Sequence, residues 1–223
     1  MEEQLEQSKL RLHLCMSVIG GWFGAYMVLR FGRLASAATL TLLETLTGAT
    51  QGKWKLMLLR LGGVASYAFA VFLTAWLPKR IRGDLRFWSI LIDIAAAVVL
   101  CVVPTDREYG MYCSLFAMAF QGAIFAGKHG YPCSTIFSTN NLRQFVDACV
   151  QVHLNRDGDH TPRMRLYGET LLFFHGGAIA VCVLWRLGLG AWTILGALLP
   201  AALAILWQRQ DVHIRQAMGE KLV

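Results

Sequence analysis

The sequence predicts an all-α integral membrane protein: about six transmembrane helices plus two short re-entrant or broken segments, arranged as a two-fold internal repeat. Three observations predict this: the composition, the spacing of the apolar runs, and an order of elements that recurs in the two halves. Of 223 residues, 56% are hydrophobic and 16% charged, against roughly a quarter charged in soluble domains. No Pro/Gly/Ser-rich linker divides the chain. So much apolar surface exceeds what one water-soluble core absorbs, which makes the lipid bilayer the first partner.

The six spans run from Leu10 to Phe31, Leu56 to Leu77, Phe87 to Val103, Gly110 to Ala126, Leu166 to Leu187 and Leu189 to Trp207. Each approaches the roughly 20 residues needed to cross the hydrocarbon. Pro78, Pro104 and the stretch Lys128-His129-Gly130-Tyr131-Pro132 punctuate them. The first contains Gly20-Gly21-Trp22-Phe23-Gly24, a small-xxx-small pattern that lets another helix approach closely. Gly62, Gly63, Gly168, Gly176 and Gly177 read as close-packing positions, or as hinges in a moving protein, and most of the seven Trp residues fall toward span ends, where interfacial anchors belong. The acidic start, Met1-Glu2-Glu3, lacks the basic region of a secretory signal, so the first run is expected to remain as a span.

Two weaker segments, Ala35 to Thr50 and Ser134 to Val150, are apolar but carry Thr, Ser, Asn and charge. Re-entrant elements and amphipathic helices lying at the interface are both open readings, because irregular backbone survives at membrane depth only when protein or a cavity shelters it.

Charge placement sets the orientation. With a cytoplasmic N-terminus, 14 of the 21 Lys and Arg residues fall inside, including the Lys79–Arg86 cluster, Arg156, Arg163 and Arg165. The positive-inside rule then puts both termini in the cytoplasm. Basic residues grouped beside apolar runs suit anionic headgroups, and no nucleic-acid recognition motif accompanies the net charge of +7. The six cysteines show no metal-ligand or disulfide spacing and read as free thiols. No HExxH, GxSxG or paired-carboxylate motif points to an enzyme, and no cofactor or metal is expected.

The repeat divides the chain into residues 1–104 and 105–223. Gly24-Ala25 matches Gly122-Ala123, and a Gly-containing turn follows each. Next come Thr39-Leu40-Thr41-Leu42 and Thr139-Asn140-Asn141-Leu142, then Arg60-Leu61-Gly62-Gly63 and Arg165-Leu166-Tyr167-Gly168. Three spans per half give an inverted repeat with both short segments near the midplane; if those segments cross fully, the repeat is parallel. The charge count favours the inverted form.

Gly21-Trp22-Phe23-Gly24-Ala25-Tyr26 resembles the Gly-x-x-Asp-Ala-Tyr pattern of the YoaK-like family, bacterial multi-pass membrane proteins of unknown function. Phe116-Ala117-Met118-Ala119-Phe120-Gln121-Gly122-Ala123 is similar to that family's Phe-Ala-Met-Gly-x-Gln-Asn-Ala pattern. The resemblance spans about Ser17 to Leu206 and implies the fold and a location in a bacterial inner (plasma) membrane. Thr39-Leu40-Thr41 and Thr139-Asn140-Asn141 stand where the family has Thr-Gly-Asn, and Gly24 and Gly122 replace its Asp and Asn.

Two sets of residues are candidates for chemistry. Ionisable groups at membrane depth cost roughly 2.5–3.5 kcal/mol each on insertion scales, so Asp93, Glu169 and His175 ask for partners or a use. One reading is a proton or ion relay; the other is an Asp93–His175 or Asp93–Arg pair that stitches helices together. The second set lines the short segments: Thr39, Thr41, Glu44, Thr139, Asn140, Asn141 and Arg143, with Gln121 from the resemblance. These supply hydroxyls and amides for a substrate, and a Glu44–Arg143 bridge across the two-fold is conceivable; N-capping and turn chemistry is the competing use. The leading expectation is a small-solute or ion transporter or channel-like protein with its site at the repeat interface. The alternative is a non-transporting protein that organises or regulates a partner. A homo-oligomer is compatible with either.

Overall fold

Apolar runs of this length dictate helices, and the described residues form eight α-helices. The computed structural model describes residues 1–34, 38–81, 83–104, 110–127 and 130–219. In order these are α1 (Glu2–Phe31), α2 (Ala38–Thr50), α3 (Trp54–Trp76), α4 (Leu85–Val102), α5 (Gly110–Ile124), α6 (Thr139–His153), α7 (Thr161–Arg186) and α8 (Leu198–Ala217). A 3₁₀ stretch, Gly190–Ala197, leads into α8. Arg82, Lys128 and His129 lie outside the described residues, as do the start of the first short segment and Arg107.

Among the described residues, five helical stretches are long and apolar enough to span: those containing α1, α3, α4, α7 and α8. The sixth expected span, α5, has fifteen residues, or about 22 Å of helix against a hydrocarbon core of about 30 Å. All six are packed as a bundle. Ser8 in α1 donates to the Trp207 carbonyl in α8 at 3.1 Å, and Gln208 bonds Asp84 at the start of α4. That is the near end. At the far end the Tyr26 hydroxyl bonds the carbonyls of Leu100 and Ala191, and Phe31 and Val103 close on Gly110. The Tyr112 hydroxyl, early in α5, bonds the Leu59 carbonyl, early in α3. Thr170, early in α7, meets His13, whereas Trp185 meets Tyr26. Thus α1, α4 and α7 run from near to far, and α3, α5 and α8 run from far to near.

The core is α1. Its residues Leu12, Met16, Ile19, Phe23, Tyr26 and Met27 are almost wholly buried, with α7 on one side and α8 on another. α5 packs on α3 and α4; α2 rests on α3 and α6 on α7. The Gly20–Gly24 cluster does serve close approach: a Cβ on Gly21 would lie 1.8 Å from the Phe174 carbonyl oxygen, and one on Gly177 2.3 Å from that of Val18. Trp22 departs from the interfacial expectation. It is buried, lies against Gly196 and donates to the Thr193 carbonyl at 2.9 Å.

Candidate functional site

The chain between α5 and α6 is the one described non-helical stretch that enters the bundle deeply. Gly130–Ser138 begins at the near end, where Tyr131 faces Gly127 and the Tyr167 hydroxyl donates to the Pro132 carbonyl. It climbs past Thr170, which accepts from the Cys133 thiol at 3.3 Å. At its tip the Thr135 carbonyl sits against Gly20, where a Cβ would come within 2.0 Å. Gly20 lies midway along α1, so the tip is at mid-depth. α6 then returns toward the near end, with Phe145 over Gly168 and Asp147 paired to Arg163 at 2.8 Å.

Backbone groups freed from a helix at that depth must find partners inside the protein. The structure supplies them from side chains. Asn141 brackets Ser134, accepting from its N–H at 3.0 Å and donating to its carbonyl at 2.6 Å. The Ser134 hydroxyl accepts from the N–H groups of Ile136 and Phe137. Gln121 Nε2 donates to the Met16 carbonyl at 2.8 Å and to Thr135 Oγ1 at 2.9 Å, while its Oε1 is buried with no hydrogen-bond partner among the described residues. Below this lies His13, buried on α1, with Nε2 3.2 Å from Thr170 Oγ1; that hydroxyl itself donates to the Leu166 carbonyl.

A cavity of about 430 Å³ opens at the near end below this network, lined by Glu6, Lys9, His13, Arg86 and Arg215 among others. Charges cross it in a chain. Arg86 grips Asp84 and reaches Asp211 at 2.6 Å, and Arg215 holds the same Asp211 oxygen at 2.9 Å. Burial by itself raises the Asp84 carboxyl, but its hydrogen bonds and attraction to Arg86 win, leaving it below the ordinary carboxylate value. Asp84 also caps α4 by accepting from the Arg86 N–H.

The sequence candidates separate into those the fold gathers and those it scatters. Gln121 and Asn141 join the non-helical stretch Gly130–Ser138. Thr139 and Asn140 open α6 on its exposed side, Asn140 reaching the Pro132 carbonyl at 3.4 Å. Arg143 is exposed and lines a small cleft with Gln144, Asp147 and Arg163. Thr39 is exposed and Thr41 buried on α2. The Glu44–Arg143 bridge is not made. Glu44 lies at the far end between Arg33 (3.6 Å) and Arg60 (3.5 Å), because α2 packs on the start of α3 while α6 packs on the start of α7. The three-membered relay is not assembled either. His175 lies on the exposed face of α7, bonded to its own helix at the Leu171 carbonyl. Glu169 pairs with Arg165 one turn away. Asp93 is alone on α4, 1% exposed, facing Ile19 and Phe23 of α1 and Ala197 and Ala201 near the start of α8. Both its oxygens are without hydrogen-bond partners among the described residues, so it pairs with neither His175 nor an arginine there. The gap beside it is too small for water.

His13, Cys133, Ser134, Thr135, Thr170 and Asp211 were not among the residues expected at the site. His13 and Thr170 sit singly in helices, with nothing local to distinguish them. Ser134 and Thr135 carry a faint signal, the polar run from Cys133 to Asn141 between two apolar helices.

Residues 12–207 match the family described as "Protein of unknown function (DUF1275)", and the YoaK-like resemblance agrees with that assignment. The match covers most of the chain, which therefore belongs to this family. No curated protein and no solved structure matches it significantly.

Proposed function

We propose that this DUF1275 member moves a small solute or ion across the membrane, using the re-entrant stretch Gly130–Asn141 as its central element. The observation that carries the reading is non-helical backbone at mid-depth, tied by Gln121, Thr135 and Asn141, directly above a charged cavity. Membrane proteins place irregular backbone at depth where protein or a pathway shelters it, and transport sites favour such breaks.

The same reading includes an inverted repeat of residues 1–104 and 105–223. Exchanging α1 with α5, α2 with α6, α3 with α7 and α4 with α8 maps the main packing pairs onto one another: α1·α7 onto α5·α3, α2·α3 onto α6·α7, and α1·α8 onto α5·α4. Each exchanged pair of spans runs in opposite directions, as an inverted duplication requires. The near end is then the cytoplasmic end of a bacterial plasma-membrane protein. Asp93 is the coupling group in this scheme: a carboxyl seated between three helices with no hydrogen-bond partner among the described residues is suited to bind a proton or a cation when those helices part.

Purified protein reconstituted into vesicles is expected to show flux for at least one solute in a panel of ions, weak acids and neutral polar molecules, tested with and without a pH gradient. Gln121→Leu is expected to abolish it. No flux for any solute overturns the proposal. The dry seam around Asp93 favours a second reading, a scaffold that organises a partner. A stable complex recovered from membranes, with Asp93→Asn without effect on function, selects that one.

A further inference from the structure

We infer that α3, α4 and α5 together hold one anionic phospholipid, with an acyl chain in the groove between them and the phosphate at Arg80 and Lys79. Such a site does not depend on transport of a solute. α3 buries little besides Gly63 and Ala70, so most of its surface meets lipid. Where it passes α4 and α5 that surface is concave. A groove of about 460 Å³ opens there, lined by Phe69, Ala95, Val99 and Phe116 among others.

The polar groups in the groove wall are already committed. The Ser66 hydroxyl donates to the Tyr112 carbonyl at 2.9 Å, the Tyr112 hydroxyl to the Leu59 carbonyl, and the Cys113 thiol to the Gly110 carbonyl at 3.0 Å. A polar solute would shed hydration and find no free donor among them, whereas a hydrocarbon chain has no such hydration to lose. From the groove an aromatic stripe leads to the near end. Phe69 stands 6.2 Å from Phe116, Phe72 stacks on Phe69 at 6.3 Å, and Trp76 stacks on Phe72 at 6.2 Å. All three α3 rings are exposed. Ser66 to Trp76 is about 15 Å of helix, the depth of one leaflet in a core of about 30 Å.

The stripe ends on a cation. The Arg80 guanidinium lies over the Trp76 ring, 5.3 Å from its centroid, a stacking that leaves its N–H edge open to an anion. Among the described residues, neither Arg80 nor Lys79 has a side-chain hydrogen bond or ion pair, and both are exposed. The acids of this corner are held elsewhere, Asp84 by Arg86 and Glu6 by Lys9 at 2.7 Å. Leu77 packs against Ile124, so the connections after α3 and α5 meet here. Residues 77–83 and 124–132 contain no acid; Arg82 and Lys128 within them, and Glu220 beyond α8, lie outside the described residues. An occupant that is apolar through one leaflet and anionic at its surface end has the order of parts of an anionic phospholipid. A zwitterionic lipid offers the same chains but brings its own ammonium to the two cations.

The test titrates the full chain in a neutral detergent with phosphatidylglycerol and with phosphatidylcholine of the same acyl chains, counting lipids per chain by native mass spectrometry. One phosphatidylglycerol per chain is expected at saturation, bound at least tenfold more tightly than phosphatidylcholine. Lys79→Ala combined with Arg80→Ala is expected to weaken phosphatidylglycerol about tenfold and leave phosphatidylcholine unchanged. Ala95→Phe fills the groove from its exposed rim and is expected to weaken both lipids at least fivefold. Equal affinity for the two lipids in the parent overturns the site, and that comparison needs no variant to fold. Unchanged phosphatidylglycerol binding in the double variant or in Ala95→Phe overturns it as well. So does a lipid-free dimer that Ala95→Phe converts to a monomer, which would give the groove to a second copy of the chain.

Discussion

The two short segments are held in the bundle by different forces. α6 and the stretch before it are tied by neutral hydrogen bonds: Asn141 to Ser134, Gln121 to Thr135, Cys133 to Thr170. α2 is held by charge, with Glu44 between Arg33 and Arg60. Neutral bonds of fixed direction at mid-depth have no competitor from solvent and define one geometry. Ion pairs near a mouth are loosened by salt and exchangeable for other ions. The first kind of anchor builds a rigid element, and the second builds one that responds to its surroundings.

The largest expected effect breaks the rigid anchor. Gly20→Ala puts a Cβ into the Thr135 carbonyl. The helix and the non-helical backbone must then separate, at a cost of about 3 kcal/mol or more. Gly24→Ala is the control, since its Cβ meets Leu34 at an ordinary 3.6 Å. Thermal unfolding of the purified protein should separate the two clearly; equal midpoints would remove the close approach from the account.

Next in size, Gln121→Leu strips two hydrogen bonds from the tip and should cost about 2 kcal/mol, because a buried acceptor is left unpaired. Glu44→Gln on the charged side should cost under about 1 kcal/mol at moderate salt, as partly exposed pairs do. Finding the charged anchor to be the stronger would reverse the comparison.

The near-end network sharpens it further through pH. Asp84 is held below its ordinary carboxylate value in the folded protein. The stability it contributes is therefore present above the unfolded value and is lost as pH falls through the folded one. An acid titration of the thermal midpoint should show a loss beginning near the ordinary carboxylate range and continuing below it, and Asp84→Ala should flatten that limb. The smallest effects belong to the exposed groups. His175→Ala and Glu169→Ala should each stay within about 0.5 kcal/mol of the parent, and a larger loss from either would reopen the relay.

Much of this architecture was readable from residues alone. Membrane class, the places of the spans and two short polar segments follow from hydropathy and punctuation, because bilayer thickness imposes a length on every spanning run. Gln121 and Asn141 were also reachable, as polar groups in otherwise apolar surroundings. The mutual placement of groups was not. Asp93 and His175 looked like partners because both sit mid-span, yet α4 turns Asp93 toward α1 and α8 while α7 turns His175 outward. Glu44 looked like the partner of Arg143 because the repeat aligns their segments, yet those segments lie at opposite ends.

What the sequence by itself determined is therefore the solvent each stretch needs: lipid for the spans, protein for the broken segment, water for the charged ends. What only the tertiary structure decided is which groups meet. The Gln121 carboxamide finds the Met16 carbonyl 105 residues away, and the Thr135 carbonyl finds the bare Cα of Gly20. Hydropathy is a local sum along the chain, whereas a hydrogen bond at mid-depth depends on the separation and facing of helices to within about half an ångström.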